Sequence, residues 1–427
     1  YYITELFPGI HLQLLLEPLG MLFALVAGIL WIVTSIYAIG YMRGHHEKNQ
    51  TRFYMCFAIA ISATMGVAFS ANLVTLFIFY EILTLSTYPL VTHAGTPEAK
   101  RAGRTYLGIL LTTSIVFLLL AIIWTWMLAG TVDFRAGGIL AGTASDTMLS
   151  VLLLLFFFGV GKAALMPFHR WLPAAMVAPT PVSALLHAVA VVKAGVFTLL
   201  KISVYVFGTE TLFSLPGREI LLVVVGASIL IASLVAMTKD NLKARLAYST
   251  VSQLGYVTLG AILATSAGVV GGAMHIAMHA VGKITLFFCA GAIMVAAHKT
   301  EISQLRGLGR AMPITMLAFF IGSLSIIGIP PAGGTWSKWF LVMGTLEAEQ
   351  IGLFIVLMIS SLLNIAYLLP IPLRAFFGKA ADNDASSGIK EAPLACLIAI
   401  SISSIACIVL FIYPEPLYQL ANMIGQK

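Results

Sequence analysis

The chain consists largely of apolar runs, each about long enough to cross a lipid bilayer. A spanning α-helix needs roughly 20 apolar residues, and 60% of the 427 residues are hydrophobic while 10% are charged. Soluble domains carry about 25% charged residues, so soluble enzymes, nucleic-acid binders and disordered proteins are excluded. The runs are continuous and not alternating, which favours helices over a β-barrel. We therefore predict an all-α polytopic membrane protein.

The apolar runs predict about twelve transmembrane helices. Their expected spans are 20–42, 53–71, 72–93, 104–129, 148–176, 180–206, 219–238, 246–265, 271–297, 313–343, 351–374 and 392–413. We expect residues 1–19 to form an amphipathic lead-in and residues 375–391 to form a loop with soluble character. The predicted units are 1–52 (lead-in and first helix), 53–206 and 219–374 (five helices each), and 375–427 (loop and last helix).

The loop lysines and arginines predict an orientation. Sixteen of them fall in the odd-numbered connections and three on the opposite side. Cytoplasmic loops carry the excess of positive residues, so we expect both ends of this chain on the outer face of a bacterial or archaeal cytoplasmic membrane. The same asymmetry accounts for the net charge of +7 without a nucleic-acid partner.

Nine ionisable residues remain inside the apolar runs: Glu81, Lys162, His187, Lys193, Lys201, His275, His279, Lys283 and Lys338. A charge at the bilayer centre costs at least ~2.5–3.5 kcal/mol, so such residues indicate an ion or proton path. Lys201, near the end of its run, is interpreted as a side chain that extends toward the interface, and its place in a path stays open. A purely structural role, with hydrogen bonds and packing alone, is the alternative for the others.

His275, His279 and Lys283 follow one another at intervals of four residues. Each step turns an α-helix by about 40° from the previous one, so the three side chains share one stripe. A histidine pair at this spacing also occurs in zinc sites, but no carboxylate or thiol accompanies it in sequence. We therefore expect no metal and interpret the stripe as a proton path through histidine and lysine.

Two of the runs contain helix-breaking residues beside a lysine. Gly161 and Pro167 flank Lys162, while Pro330, Pro331, Gly333 and Gly334 precede Lys338. Proline removes a backbone donor, and a carbonyl freed at membrane depth must meet protein or water. The two runs have opposite predicted directions, which is typical of inverted-repeat transporters with sites near the bilayer midplane. We thus predict two inverted five-helix repeats, each with one broken helix.

At these breaks the chain resembles the antiporter-like membrane subunits of Mrp cation/proton antiporters, respiratory complex I and membrane-bound hydrogenases. The resemblance lies in residues 161–173, 178–188, 192–195 and 245–256, in His275-x-x-x-His279-x-x-x-Lys283 and in Trp336-Ser337-Lys338. Residues 81–88 and 96–104 are most similar to the D-type member of the Mrp antiporters. Members of this family usually have fourteen helices, which agrees with twelve here plus a preceding pair.

The resemblance implies a subunit of a transporter, not an enzyme, with no cofactor of its own. It implies a proton-conducting subunit of a multi-subunit Na⁺/H⁺ antiporter, with other membrane subunits, protons and Na⁺ or another monovalent cation as partners. The alternative is a proton-pumping subunit of a complex I-like or hydrogenase complex. Carried over by position, Glu81 would pair with Lys162, Lys193 with His187 would form the next step, and the stripe would lead to Lys338.

Overall fold

A computed structural model describes residues 1–378 and 388–425, apart from the side chains of Leu186 and His187. In chain order the principal helices are α1 (Pro18–Gly44), α2 (Gln50–Ala68), α3 (Leu73–Val91), α4 (Pro97–Ala129), α5 (Asp146–Gly159), α6 (Val191–Ile202), α7 (Pro216–Thr238), α8 (Leu242–Leu263), α9 (Ser266–Ala297), α10 (Pro313–Ile327), α11 (Gly334–Glu347), α12 (Ile351–Phe377), α13 (Leu394–Ile412) and α14 (Glu415–Asn422). Part of the loop predicted at 375–391 lies outside the described residues. The all-helical, polytopic prediction is confirmed.

Nine of the described helices are long and apolar enough to cross a membrane. They correspond to nine of the twelve predicted spans, and the other three spans, 148–176, 180–206 and 313–343, are discontinuous. The prediction of one continuous helix over 180–206 is wrong. A π-helical turn at Leu185–Val189 separates the short helix Thr180–Ala184 from α6.

Some helices begin earlier than their apolar runs. The structure starts α4 at Pro97 and not at 104, because the Thr96 side chain accepts a hydrogen bond from the backbone of Ala99 and proline occupies the first turn. Similarly, Thr265 caps α9 through the backbone N–H of Gly268. Such caps satisfy the free N–H groups of a helix start, so they extend helices into polar sequence that an apolar run leaves out.

The lead-in expected at 1–19 folds as a β-hairpin, β1 (Tyr2–Phe7) and β2 (Ile10–Gln13), which the all-helical prediction did not contain. The hairpin is anchored on α3. Asn72 Nδ2 donates to His11 O at 2.7 Å, and the backbone N–H of Gln13 donates to Thr75 Oγ1 at 3.1 Å. Backbone groups of the lead-in therefore find partners at the end of a spanning helix.

The predicted break beside Lys162 is present. After α5 a single 3₁₀ turn, Gly161–Ala163, leads into non-helical chain that contains Pro167 with a cis peptide bond. A Cβ on Gly161 would lie 2.2 Å from Thr113 Oγ1, so only glycine allows this approach. The carbonyl of Gly161 accepts hydrogen bonds from the backbone N–H of Ala164 within the turn, at 3.0 Å, and from the indole N–H of Trp171, at 2.9 Å.

The second predicted break lies between α10 and α11 and contains Pro330, Pro331 and Gly333. The Pro330–Pro331 peptide bond is cis. A Cβ on Gly334 would lie 1.8 Å from Ser325 O, so glycine allows the start of α11 to pack directly against the backbone of α10. The break thus places two helix ends side by side inside the protein.

The core of the described structure surrounds α9. This helix packs against α8, α10, α11 and α13, and every residue from 268 to 293 is buried. A helix buried on all sides has to satisfy its polar side chains within the protein. The arrangement therefore places the stripe of His275, His279 and Lys283 at the centre of the molecule.

Candidate functional site

Lys162 is completely buried in the first break. Its Nζ donates to Tyr80 O at 2.8 Å and to Thr84 Oγ1 at 2.5 Å, and lies 3.1 Å from the centre of the Tyr80 ring. α3 thus supplies a carbonyl, a hydroxyl and an aromatic face to one ammonium group. All three interactions favour a positive charge.

Glu81 follows Tyr80 on α3. Both of its carboxylate oxygens are buried, and neither has a hydrogen-bond partner among the described residues. The expected direct pair with Lys162 is not formed: the ammonium bonds Tyr80 and Thr84 instead, and the charge of Glu81 acts on Lys162 through space. The structure therefore holds the acid near the lysine without a direct hydrogen bond between them.

Lys193, on α6, is completely buried and joins the two halves of the chain. Its Nζ and Nδ1 of His279 form a hydrogen bond. The partner suggested by the family pattern, His187, has its backbone in the turn Leu185–Val189, while its side chain lies outside the described part. The structure thus connects Lys193 directly to the stripe on α9.

His275 lies at the other end of that stripe. Its Nδ1 is 2.8 Å from Ser337 Oγ and its Nε2 is 3.1 Å from Gln253 Oε1. The ring stacks between those of Tyr256 and His279, whose centres lie 5.4 and 5.8 Å away. The two histidines therefore stack on one face of α9, as predicted, and His275 makes its hydrogen bonds to α8 and α11.

Lys283 bonds α8 and reaches α12 through a serine of α8. Its Nζ donates to Ser249 Oγ at 2.6 Å and to Leu246 O at 3.3 Å. Ser249 Oγ lies 2.9 Å from the hydroxyl of Tyr367, which also bonds Asn364 Oδ1. The stripe thus branches, because His279 bonds α6, His275 bonds α8 and α11, and Lys283 bonds a separate part of α8.

Lys338 lies one turn inside α11. Its Nζ donates to Ile327 O, at the broken end of α10, at 2.9 Å and to Ser361 Oγ at 3.3 Å. It also lies 4.7 Å from the centre of the Tyr256 ring. The Tyr256 hydroxyl donates to Leu357 O at 3.5 Å and has Ser361 and Asn364 beside it, so hydroxyl and amide groups lie between Lys338 and the surroundings of Lys283.

Lys201 does not extend to the surface, so that interpretation is wrong. It is completely buried, forms an ion pair with Glu17 at 2.6 Å and donates to Ser70 O at the same distance. Glu17 precedes α1 and lies outside every predicted apolar run, which is why the pattern of runs did not identify it. Within the described structure, no hydrogen bond or ion pair joins Glu17 or Lys201 to the other buried lysines.

Sequence reasoning missed neutral groups in the surroundings of the buried lysines: Tyr80, Thr84, Ser249, Tyr256, Ser361, Asn364 and Tyr367. Isolated serines, threonines and tyrosines are common in apolar helices, so type alone does not distinguish them. Their spacing was an available signal, since Tyr80 and Thr84 are four residues apart, and Asn364 and Tyr367 three. Such pairs share a helix face.

Buried lysines surrounded by hydroxyls, carbonyls and imidazoles can accept and release protons. The low-polarity surroundings disfavour a charged amine, while the nearby carbonyls, hydroxyls and Glu81 favour it. Small movements of these partners therefore change whether a lysine holds its proton. The site is chemically suited to passing protons between buried groups.

Sequence comparison places this site within a known group of proteins. The profile of the family described as "NADH:quinone oxidoreductase/Mrp antiporter, TM" matches residues 70–364. NADH-quinone oxidoreductase subunit N of Desulforudis audaxviator is 32% identical over 97% of the chain and 85% of that relative. The A-type member of the Na(+)/H(+) antiporter of Alkalihalophilus pseudofirmus is 30% identical over 95% of the chain, which spans about half (53%) of that longer protein.

Solved structures share the fold. A chain of the Mrp complex from Dietzia sp. superposes with a TM-score of 0.85 at 24% identity, covering 98% of this chain and 85% of the other. A chain of the membrane-bound sulfane sulfur reductase, an archaeal respiratory membrane complex, superposes with a TM-score of 0.84 at 25% identity, covering 99% and 84%. The same architecture therefore occurs in an Mrp complex and in a respiratory complex.

Proposed function

The chain belongs to the NADH:quinone oxidoreductase/Mrp antiporter transmembrane family, and we propose that it conducts protons through Glu81, Lys162, Lys193, His279, His275, Lys283 and Lys338. The observation that supports this most is the hydrogen bond between Lys193 and His279, because it joins the half with the first break to the half with the second. His187 belongs to the proposed path by its position in the family pattern.

We propose that the reaction is monovalent cation/proton exchange of the Mrp type, with Na⁺ as the cation and other membrane subunits as partners. The two inverted repeats, 53–206 and 219–374, would each supply one half of the path, and the cytoplasmic side would be that of the odd-numbered connections. The antiporter relative and the shared Mrp fold support this proposal.

A redox-driven role is the second candidate. It is supported by the match to NADH-quinone oxidoreductase subunit N along 97% of the chain and 85% of that relative. In that case the same proton path is driven by a partner subunit, while this chain itself needs no cofactor.

The two candidates differ in what drives proton movement. The assembled complex is purified with its partners and reconstituted in liposomes with an internal pH-sensitive dye. Collapse of an imposed pH gradient on adding NaCl or KCl supports exchange, whereas co-purifying metal-cluster subunits without this response support the redox role. Full proton movement by an assembled Lys338→Ala complex contradicts a proton path through this residue in either case.

A further inference from the structure

Lys283 has surroundings that differ from those of Lys162. Its hydrogen bonds go to Ser249 Oγ and Leu246 O, and the charges that act on it are those of Lys193 and Lys338, which have its own sign. Glu81, in contrast, acts on Lys162. A proton carrier must be stable with and without its proton. For Lys283 a neutral group therefore has to provide the stabilisation that a carboxylate provides elsewhere.

The hydroxyl of Tyr367 has two acceptors and one hydrogen. It is placed to donate to Ser249 Oγ, at 2.9 Å, and also to Asn364 Oδ1. A phenol donates only one hydrogen bond, so Tyr367 donates to Asn364 or to Ser249 but never to both. Asn364 and Tyr367 on α12 and Ser249 on α8 are all buried. Bulk water therefore cannot supply the hydrogen bond that one of the two acceptors lacks.

We propose that Ser249, Tyr367 and Asn364 form a reversible hydrogen-bond chain that stabilises Lys283 in both its protonated and its neutral form. This inference rests on the proposed proton path. In the first order, the Lys283 ammonium donates to Ser249, Ser249 donates to Tyr367, and Tyr367 donates to Asn364 Oδ1. Every oxygen then turns a lone pair toward the charge.

The reversed order suits the neutral amine. Once Lys283 has passed its proton to the neutral amine of Lys338 along the path, Tyr367 donates to Ser249 and Ser249 donates to the lone pair on Lys283 Nζ. The hydroxyl hydrogens rotate without leaving their oxygens, so the only proton transferred is the one that moves between the two lysines.

Asn364 is suited to both orders because an amide carries an acceptor and a donor. Its Nδ2 is buried and has no hydrogen-bond partner among the described residues, although the amide lies beside the Tyr256 hydroxyl. Rotation of the amide would bring this N–H₂ to the Tyr367 oxygen, which is free to accept in the reversed order. A carboxylate could serve the first order only, and an alkyl side chain neither.

Other titratable groups must be considered before a pH effect is assigned to this chain. On α9 itself these are His275, His279 and Cys289. From the described helices around it, the groups that act on α9 or on Lys283 are Tyr37, Lys193, Tyr256, Lys338 and Cys407. Those at the Ser249 end are Tyr367 and Arg245, whose guanidinium donates to Tyr367 O at 3.1 Å. Of these, Tyr367 is the one that reaches Lys283 through Ser249.

The test is the pH profile of proton movement by the reconstituted complex with substitutions at Asn364. Asn364→Leu leaves Tyr367 only Ser249 as an acceptor, so the Tyr367 O–H points toward Lys283 through Ser249 and opposes its positive charge. This favours neutral Lys283, and the alkaline limb of the profile should move about one pH unit down. Asn364→Asp favours protonated Lys283, so the limb should move up and the rate should fall about fivefold. Shifts of the same sign, or no shift, overturn the proposal.

Tyr367→Phe removes one oxygen and disconnects Asn364 from the chain. In this background the Asn364→Leu shift should disappear, and an undiminished shift contradicts the proposal. Tyr37→Phe is the matched control, because the Tyr37 hydroxyl bonds Phe288 O on the same helix α9 without contacting Lys283. If the unsubstituted complex moves no protons, the proposed function fails. If it moves protons but Asn364→Leu and Asn364→Asp do not shift the pH profile in opposite directions, the hydrogen-bond chain alone is rejected.

Discussion

Both broken helices are interrupted at glycine and proline beside a lysine, but the surroundings of the two lysines differ. At the first break Lys162 lies within the interruption itself, and a carboxylate with no hydrogen-bond partner among the described residues lies nearby on α3. At the second break Lys338 lies one turn inside α11 and bonds back to the carbonyl that the break frees. One lysine therefore faces a nearby opposite charge, and the other is held mainly by backbone and hydroxyl groups.

For the proposed proton path, this difference predicts where proton movement is controlled. In a water-poor interior, the energy of an interaction between two charges changes steeply with small displacements. The energy of an interaction between a charge and a neutral partner changes less. Closure of Glu81 onto Lys162 would stabilise the ammonium, and the observed separation would favour release. We expect control in the first half and passive transfer in the second.

The largest effect that tests this contrast is expected for Glu81→Gln. This change keeps the shape and removes the charge, so Lys162 loses the group that stabilises its proton. Proton movement by the assembled complex should fall about tenfold, which corresponds to ~1.4 kcal/mol in the barrier. An unchanged rate in liposomes would show that the acid has only a structural role.

Thr84→Val is expected to have an intermediate effect. It removes the hydroxyl 2.5 Å from Lys162 Nζ with little change in volume, and Tyr80 O remains as an acceptor. Hydrogen bonds to charged groups are worth about 1.5–3 kcal/mol, and partial compensation should limit the fall in rate to about fivefold. Thr64→Val, whose hydroxyl bonds Ala60 O on α2, is the control and should leave the rate intact.

Ser361→Ala makes the corresponding change at the second break and should have less effect. Its bond to Lys338 is longer, at 3.3 Å, and Ile327 O still accepts from the ammonium. We expect a fall of about twofold in the same assay. A larger loss than that of Thr84→Val would reverse the assignment of control to the first half.

Glu17→Gln should have the smallest effect on proton movement. Within the described structure, no hydrogen bond or ion pair joins Glu17 and Lys201 to the path, but removing one partner leaves a buried charge, which costs about 3–5 kcal/mol. The complex should lose thermal stability while the rate per assembled complex changes by less than twofold. A fall as large as that of Glu81→Gln would add this pair to the path.

The sequence predicted the fold through its composition and its two breaks, because both depend on local properties. Apolar length predicted the spans, and glycine and proline predicted the interruptions beside Lys162 and Lys338. The β-hairpin at Tyr2–Gln13 was missed, because its partners on α3 come from distant sequence.

The site was predictable only in its ionisable members. A lysine in an apolar run is costly and therefore visible in sequence, whereas Thr84, Ser249 and Tyr367 are ordinary in such runs. The branching of the stripe also depends on packing. Helical spacing places His275, His279 and Lys283 on one face, but the positions of α6, α8 and α11 decide which neighbour each one meets.

The most direct test of a proton path through the first break is the rate of the Lys162→Met complex. Methionine keeps most of the side-chain volume and removes the titratable amine, and Lys100→Met in the first turn of α4 controls for loss of a lysine. With assembly verified by size-exclusion chromatography, we predict a fall of at least about tenfold for Lys162→Met and an unchanged rate for Lys100→Met. Equal, unreduced rates in both complexes would contradict the account.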